Sequence, residues 1–147
     1  MNKSRIHLLK VRSLDNQWHD KDELFLHAAF QILVDFVEKE RPFKYIDWSY
    51  DKLHRQTRRE IKSLYAWWKN QRFRRRDPLD DKRLKAPPFK FEKIKDSSYS
   101  RMVQPDKKKH SAYYRALKRS VRLEEKWRKE DQRNLHRLVE IRHFLWT

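Results

Sequence analysis

The run Leu24-Phe25-Leu26-His27-Ala28-Ala29-Phe30-Gln31-Ile32-Leu33-Val34-Asp35-Phe36-Val37 decides the fold. Wound at about 3.6 residues per turn, its apolar residues cover most of the circumference, which predicts a central, buried helix. Asp20 or Asp22 begins it, with acidic side chains where the positive end of the helix dipole favours them. His19, Asp20 and Asp22 together read as a helix start. The helix reaches about Glu40, and Pro42 stops it. Along it Glu23, His27, Gln31, Asp35 and Glu38 draw one polar line. His27 and Asp35 have the chemistry of metal or acid/base sites, but His-x3-Gln-x3-Asp is not a recognised ligand pattern. The line reads as a seam bonded to Arg or Trp on neighbouring helices.

Working outward, residues 43–50 form a connector carrying Tyr45, Ile46 and Trp48. A second helix follows from about Asp51 to Arg72. Leu53, Thr57, Ile61, Leu64 and Trp68 fall on one face, and Arg55, Arg58, Arg59, Lys62 and Lys69 on the other. A last helix runs from near Ser111 to about Phe144. Tyr113, Leu117, Val121, Trp127, Leu135, Leu138 and Leu145 lie in one broad sector of it, interrupted by Glu124, and that sector is expected to dock on the first two helices. Trp67, Trp68 and Trp127 read as core.

Between the second and last helices, residues 77–110 read as a basic, mobile insertion within a single domain spanning 1–147. Pro78, Pro87, Pro88 and Pro105 break helices, and a connection this long is functional or disordered in a compact domain. Asp77, Asp80 and Asp81 around Pro78 read as a turn with capping potential. Phe89 and Phe91 alternate and are expected to pin a short extended piece. At the N-terminus Ile6, Leu8 and Val11 suggest a short strand or packed arm. Lys10 and Arg12 interrupt the apolar stretch there, so no secretory signal is expected. No apolar run approaches the ~20 residues that span a bilayer, so no membrane partner is expected. The expected fold class is all-α: a compact three- or four-helix domain with a long basic, Pro-containing insertion.

Composition narrows the function. The chain of 147 residues has 38 Lys and Arg against 21 Asp and Glu, a net charge of +17. Solubility of a small domain needs a charge of only about 2 to 8. The surplus concerns partners: nucleic acid, an anionic surface or an acidic protein. With no Cys, thiolate chemistry and Cys-based zinc sites are impossible, and a reducing cytoplasm is compatible. With no Gly, phosphate-cradling loops, dinucleotide fingerprints and nucleophile elbows are excluded, and tight two-residue hairpins are disfavoured.

Three basic features remain. On the last helix Arg115, Lys118, Arg119, Arg122, Lys126, Lys129, Arg133 and Arg137 recur at steps of three or four, within about 40–60° of one line. Such a row suits a phosphate backbone, although a charge run is also an ordinary solvated face. At the end of the second helix stands Arg72-Phe73-Arg74-Arg75-Arg76. Arg binds phosphate bidentately, and Phe73 offers a ring to a base, although cations also stabilise a helix C-terminus. Lys107-Lys108-Lys109 is a less specific basic triplet.

The segments Leu26–Glu40 (LHAAFQILVDFVEKE), Leu64–Lys69 (LYAWWK) and Asn134–Thr147 (ending EIRHFLWT) resemble motifs of small uncharacterised proteins of tailed bacteriophages. The resemblance covers roughly residues 18–76 and 123–147 and skips the Pro- and Lys-rich middle. It implies a phage origin, and hence a host-cytoplasmic location, together with an all-α fold. The family carries no assigned activity.

The sequence therefore predicts a binding protein, not an enzyme, with no catalytic residue, metal or cofactor. Its expected partner is the phosphate backbone of DNA or RNA, bound with little sequence preference. The alternative is an adaptor or inhibitor docking an acidic surface of a host or virion protein.

Overall fold

The computed structural model describes residues 9–145. Ile6 and Leu8 lie outside the described residues, as do Trp146 and Thr147, and Val11 sits in irregular chain. The polypeptide is predominantly helical and divides into two compact units, residues 1–75 with 129–147 and residues 76–128.

In the first unit, α1 (Lys21–Asp35) carries Asp22 and Glu23 in its first turn. Asp20 stands at the N-cap without a side-chain capping bond, so acidic charge near the dipole is what favours this start. The helix widens into a π-type turn, Phe36–Glu40. Arg41 then takes a left-handed conformation (φ 52°) and Pro42 opens the short α2 (Pro42–Tyr45). The Trp48 indole N–H donates to the Pro42 carbonyl at 3.0 Å, which folds the connector back. Asp51 caps α3 (Lys52–Ala66) by accepting from the His54 N–H at 2.7 Å. A second π-type turn, Trp67–Arg72, extends α3. The C-terminal part of α4 (Ser111–Ile141) and a tight turn, Arg142–Phe144, complete the unit.

Its core joins Leu26, Phe30, Leu33 and Val34 of α1 to Ile61 and Leu64 of α3, Trp67, Trp68, Leu138 and Ile141. Phe30 is fully buried and stacks on Trp68, with ring centroids 4.5 Å apart and planes 8° from parallel. The expectation that α1 is apolar-buried nearly all round needs correction. Leu24, Phe25 and Ile32 are exposed, because the covering elements, α3 and the end of α4, lie on one side. Leu53, in the first turn of α3, is exposed as well.

A left-handed residue other than Gly costs about 1–2 kcal/mol. Arg41→Gly should therefore raise stability by about 0.5 to 1 kcal/mol, net of the extra freedom Gly gives the unfolded chain. The check is the urea midpoint at unchanged slope, and an unchanged or lower midpoint contradicts strain at Arg41.

The second unit is built differently. Asp77 caps the turn Pro78–Asp80, accepting from the Leu79 N–H at 2.8 Å, and its other oxygen accepts from the buried Ser120 hydroxyl of α4 at 3.0 Å. Strands β1 (Lys90–Lys93) and β2 (Ser100–Val103) pair antiparallel, in the register Lys90 to Val103 and Phe91 to Met102. This hairpin corrects the all-α expectation. A chain without Gly makes it by using a longer loop, in which Asp96 takes the left-handed conformation (φ 59°) that Asp tolerates. The short extended piece expected at Phe89 and Phe91 is present, since Phe91 lies in β1, but both rings stand in solvent. None of the buried apolar core residues belongs to this unit. Val121 of α4, expected to dock, is exposed.

Candidate nucleic-acid interface

The α4 row is divided between the units. Arg115, Lys118, Arg119, Arg122 and Lys126 belong to the second, and all five are exposed. Among the described residues, none of these five side chains has a hydrogen-bonding or ion-pairing partner. The helix period puts them on one side, away from the buried Ser120. Lys129, Arg133 and Arg137 belong to the first unit. Lys129 and Arg133 are exposed. Arg137 is held: it donates to Glu60 at 2.8 Å, to the Ser63 hydroxyl at 3.0 Å and to Asn134 at 2.9 Å.

The Arg72–Arg76 cluster separates likewise. Arg72 contacts Asp131 at 3.3 Å and lies over the Trp68 ring, 4.7 Å from its centroid. Arg75 reaches Asp131 at 2.8 Å and Glu130 at 3.3 Å and covers Trp67. These two guanidiniums tie the end of α3 to α4 within the first unit. Phe73, Arg74 and Arg76 are exposed. Lys107, Lys108 and Lys109 are exposed in a turn whose amides at Lys108 and Lys109 donate to Asp106, and the Lys107 ammonium lies 5.9 Å from the Tyr114 ring centroid.

No family model, curated protein or solved structure matches this chain. What bears on its function is the chemistry of its charged surface.

That chemistry includes residues the sequence reading passed over. The 53 residues of the second unit hold 17 basic and eight acidic side chains, so a surplus of nine sits in about a third of the chain. Lys90, Lys93, Lys95 and Arg101 on the hairpin contribute to it. The alternation at Phe89 and Phe91 signalled an extended piece but not its pairing with residues 100–103.

The polar line of α1 is a bonded seam beside a cavity of about 520 Å³ in the first unit. The Ser13 hydroxyl lies 2.7 Å from His27 Nδ1. The Arg12 N–H donates to Gln31 Oε1 at 2.9 Å, Gln31 donates to Asp35 at 3.0 Å, and the Arg12 guanidinium pairs with Asp35 at 2.9 Å. Glu38 pairs with Lys69 at 3.0 Å and accepts from the Tyr65 hydroxyl at 2.8 Å, and both contacts hold its carboxyl below the usual range. Burial foremost, with the Arg72 guanidinium next, pushes His27 down to about 4, so its ring is neutral near pH 7. Among the described residues no group of His, Asp or Glu is arranged to hold a metal, and no helix is long and apolar enough to cross a membrane.

The sign of the His27 effect follows from linkage. Its folded pKa lies below the unfolded value of about 6.5, so the unfolded chain binds the proton more readily between the two. Stability should be full above about pH 6.5 and fall toward pH 4, by on the order of 2–3 kcal/mol from this group. His19 acts oppositely: hydrogen bonding to Asp15, with Glu23 adding to it against slight burial, raises its pKa. The measurement is therefore the difference between wild type and His27→Gln across this window. The variant should be less stable at pH 7 and flatter below 6.5, and parallel profiles would remove His27 as the source.

Proposed function

We propose that this chain is a basic phage accessory protein that binds DNA or RNA through phosphates, with little sequence preference. The phage attribution and the host-cytoplasmic location both rest on the motif resemblance. The binding reading rests on one observation: the exposed row Arg115, Lys118, Arg119, Arg122 and Lys126, with no side-chain partner among the described residues. Like charges three and four residues apart repel by a few tenths of a kcal/mol per pair. A phosphate backbone relieves that repulsion and releases its own counterions. Phosphate contacts position a protein without reading bases. No catalytic step, metal or cofactor enters this reading.

The test is affinity for random-sequence DNA and RNA against salt. Each phosphate contact adds about 0.7–0.9 to the slope of log K on log salt, so five contacts give on the order of a hundredfold loss between 50 and 200 mM. Absence of binding at 50 mM salt would sink the reading.

A second reading, docking on a host or virion protein, is favoured by the exposed Phe25 and Ile32 of α1, seven residues apart on one side, and by Trp18 nearby in sequence. A pull-down that keeps one polypeptide after nuclease treatment supports it over the first.

A further inference from the structure

We infer that the β1–β2 hairpin is a stacking platform for the bases of single-stranded nucleic acid. This deepens the phosphate-binding reading and rests on it. A lone two-stranded hairpin is marginally stable, and its apolar side chains ordinarily lie under another layer. Here no residue of either strand is buried. Phe89 is 78% exposed and Phe91 66%, with Met102 open opposite Phe91, while Tyr99 (75%) and Ile94 are open on the other face.

Alternation along the strand puts Phe91 on one face with its cross-strand partner Met102. Phe89 precedes the first residue of β1, two positions before Phe91. Ile94, whose N–H donates to the Tyr99 carbonyl at 3.1 Å, belongs to the end nearer the loop. Residues two apart in extended chain are about 6.6–6.8 Å apart, roughly twice the rise between stacked bases, a spacing that admits one base between two rings.

The charge around the rings selects the occupant. Lys90, Lys93 and Lys95 have no side-chain partner among the described residues, and Arg101 lies 3.6 Å from Glu92. Lys is depleted where proteins bury apolar patches on one another, which disfavours a protein partner. Rings interleaved with cations match a strand whose phosphates and π-faces are both accessible. Paired bases lie inside the duplex stack, so the platform favours single strands. Stacking tolerates any base, consistent with weak sequence preference.

The test uses the full chain with a fluorescent oligothymidylate, a duplex of equal length and vesicles containing phosphatidylserine, at fixed low salt. The Phe89→Ala/Phe91→Ala double variant should bind the single strand at least tenfold more weakly and the duplex less than twofold more weakly. Met102→Ala removes the cross-strand partner of Phe91 but no ring, and should change single-strand affinity less than twofold. Phe91→Trp should keep or tighten single-strand binding. Equal losses in Met102→Ala and the double variant would overturn the inference, since the rings would then only hold the hairpin. Unchanged single-strand affinity in the double variant overturns it while leaving phosphate binding intact, and if vesicle binding alone is lost the platform belongs to lipid. Failure of wild type to bind either nucleic acid removes both readings together.

Discussion

Replacing Arg119→Glu, Arg122→Glu and Lys126→Glu together should reduce affinity for nucleic acid by a hundredfold or more at 50 mM salt. Three phosphate contacts are lost, which flattens the salt slope by about 2 to 3, and three carboxylates now repel the backbone. The loss should be equal for all sequences. The fold should survive, because the three side chains are exposed and make no hydrogen bond or ion pair among the described residues. Unchanged circular dichroism and melting are the control. Arg74→Glu, in the other unit, should act independently and more weakly. Wild-type affinity and slope in the triple variant would take the α4 row out of the mechanism.

Amide hydrogen exchange should divide the chain sharply. Residues 80–109 belong to the unit that contributes nothing to the buried apolar core, and their strands are solvent-exposed. Local opening there should cost little, whereas amides of Leu26–Val34 should open only with global unfolding. For a domain of ordinary stability the two sets differ a thousandfold or more in protection. Slow exchange throughout 80–109 in the absence of a partner would refute this, and with it the expectation of a mobile insertion.

The helices were legible because their apolar spacing is a local property. Thr57, Ile61, Leu64 and Trp68 are buried as their period requires, Ser111 starts α4, and the first helix ends before Pro42. The exposure of Phe25 and Ile32 was not legible, since it depends on how many neighbours arrive to cover α1. The hairpin was missed because turn chemistry was argued from Gly, while Asp96 supplies the left-handed residue instead. The fates of Arg72 and Arg137 were out of reach for another reason. Their partners Asp131 and Glu60 lie 59 and 77 positions away in the chain. A basic row read from spacing carries no mark of which members tertiary contacts will claim.

That division among the cations bears on any attempt to map the interface by scanning. Removing one partner of a partly buried ion pair strands the other charge, and the damage exceeds the loss of an exposed contact. Arg72, Arg75 and Arg137 have half-buried partners in Asp131, Glu130 and Glu60. A scan scored by retained nucleic acid would rank these three first, through unfolding of the first unit. The residues that touch the ligand would rank lower, each a modest share of a redundant field. Binding maps of so charged a chain become interpretable only when every variant's affinity is divided by its folded fraction.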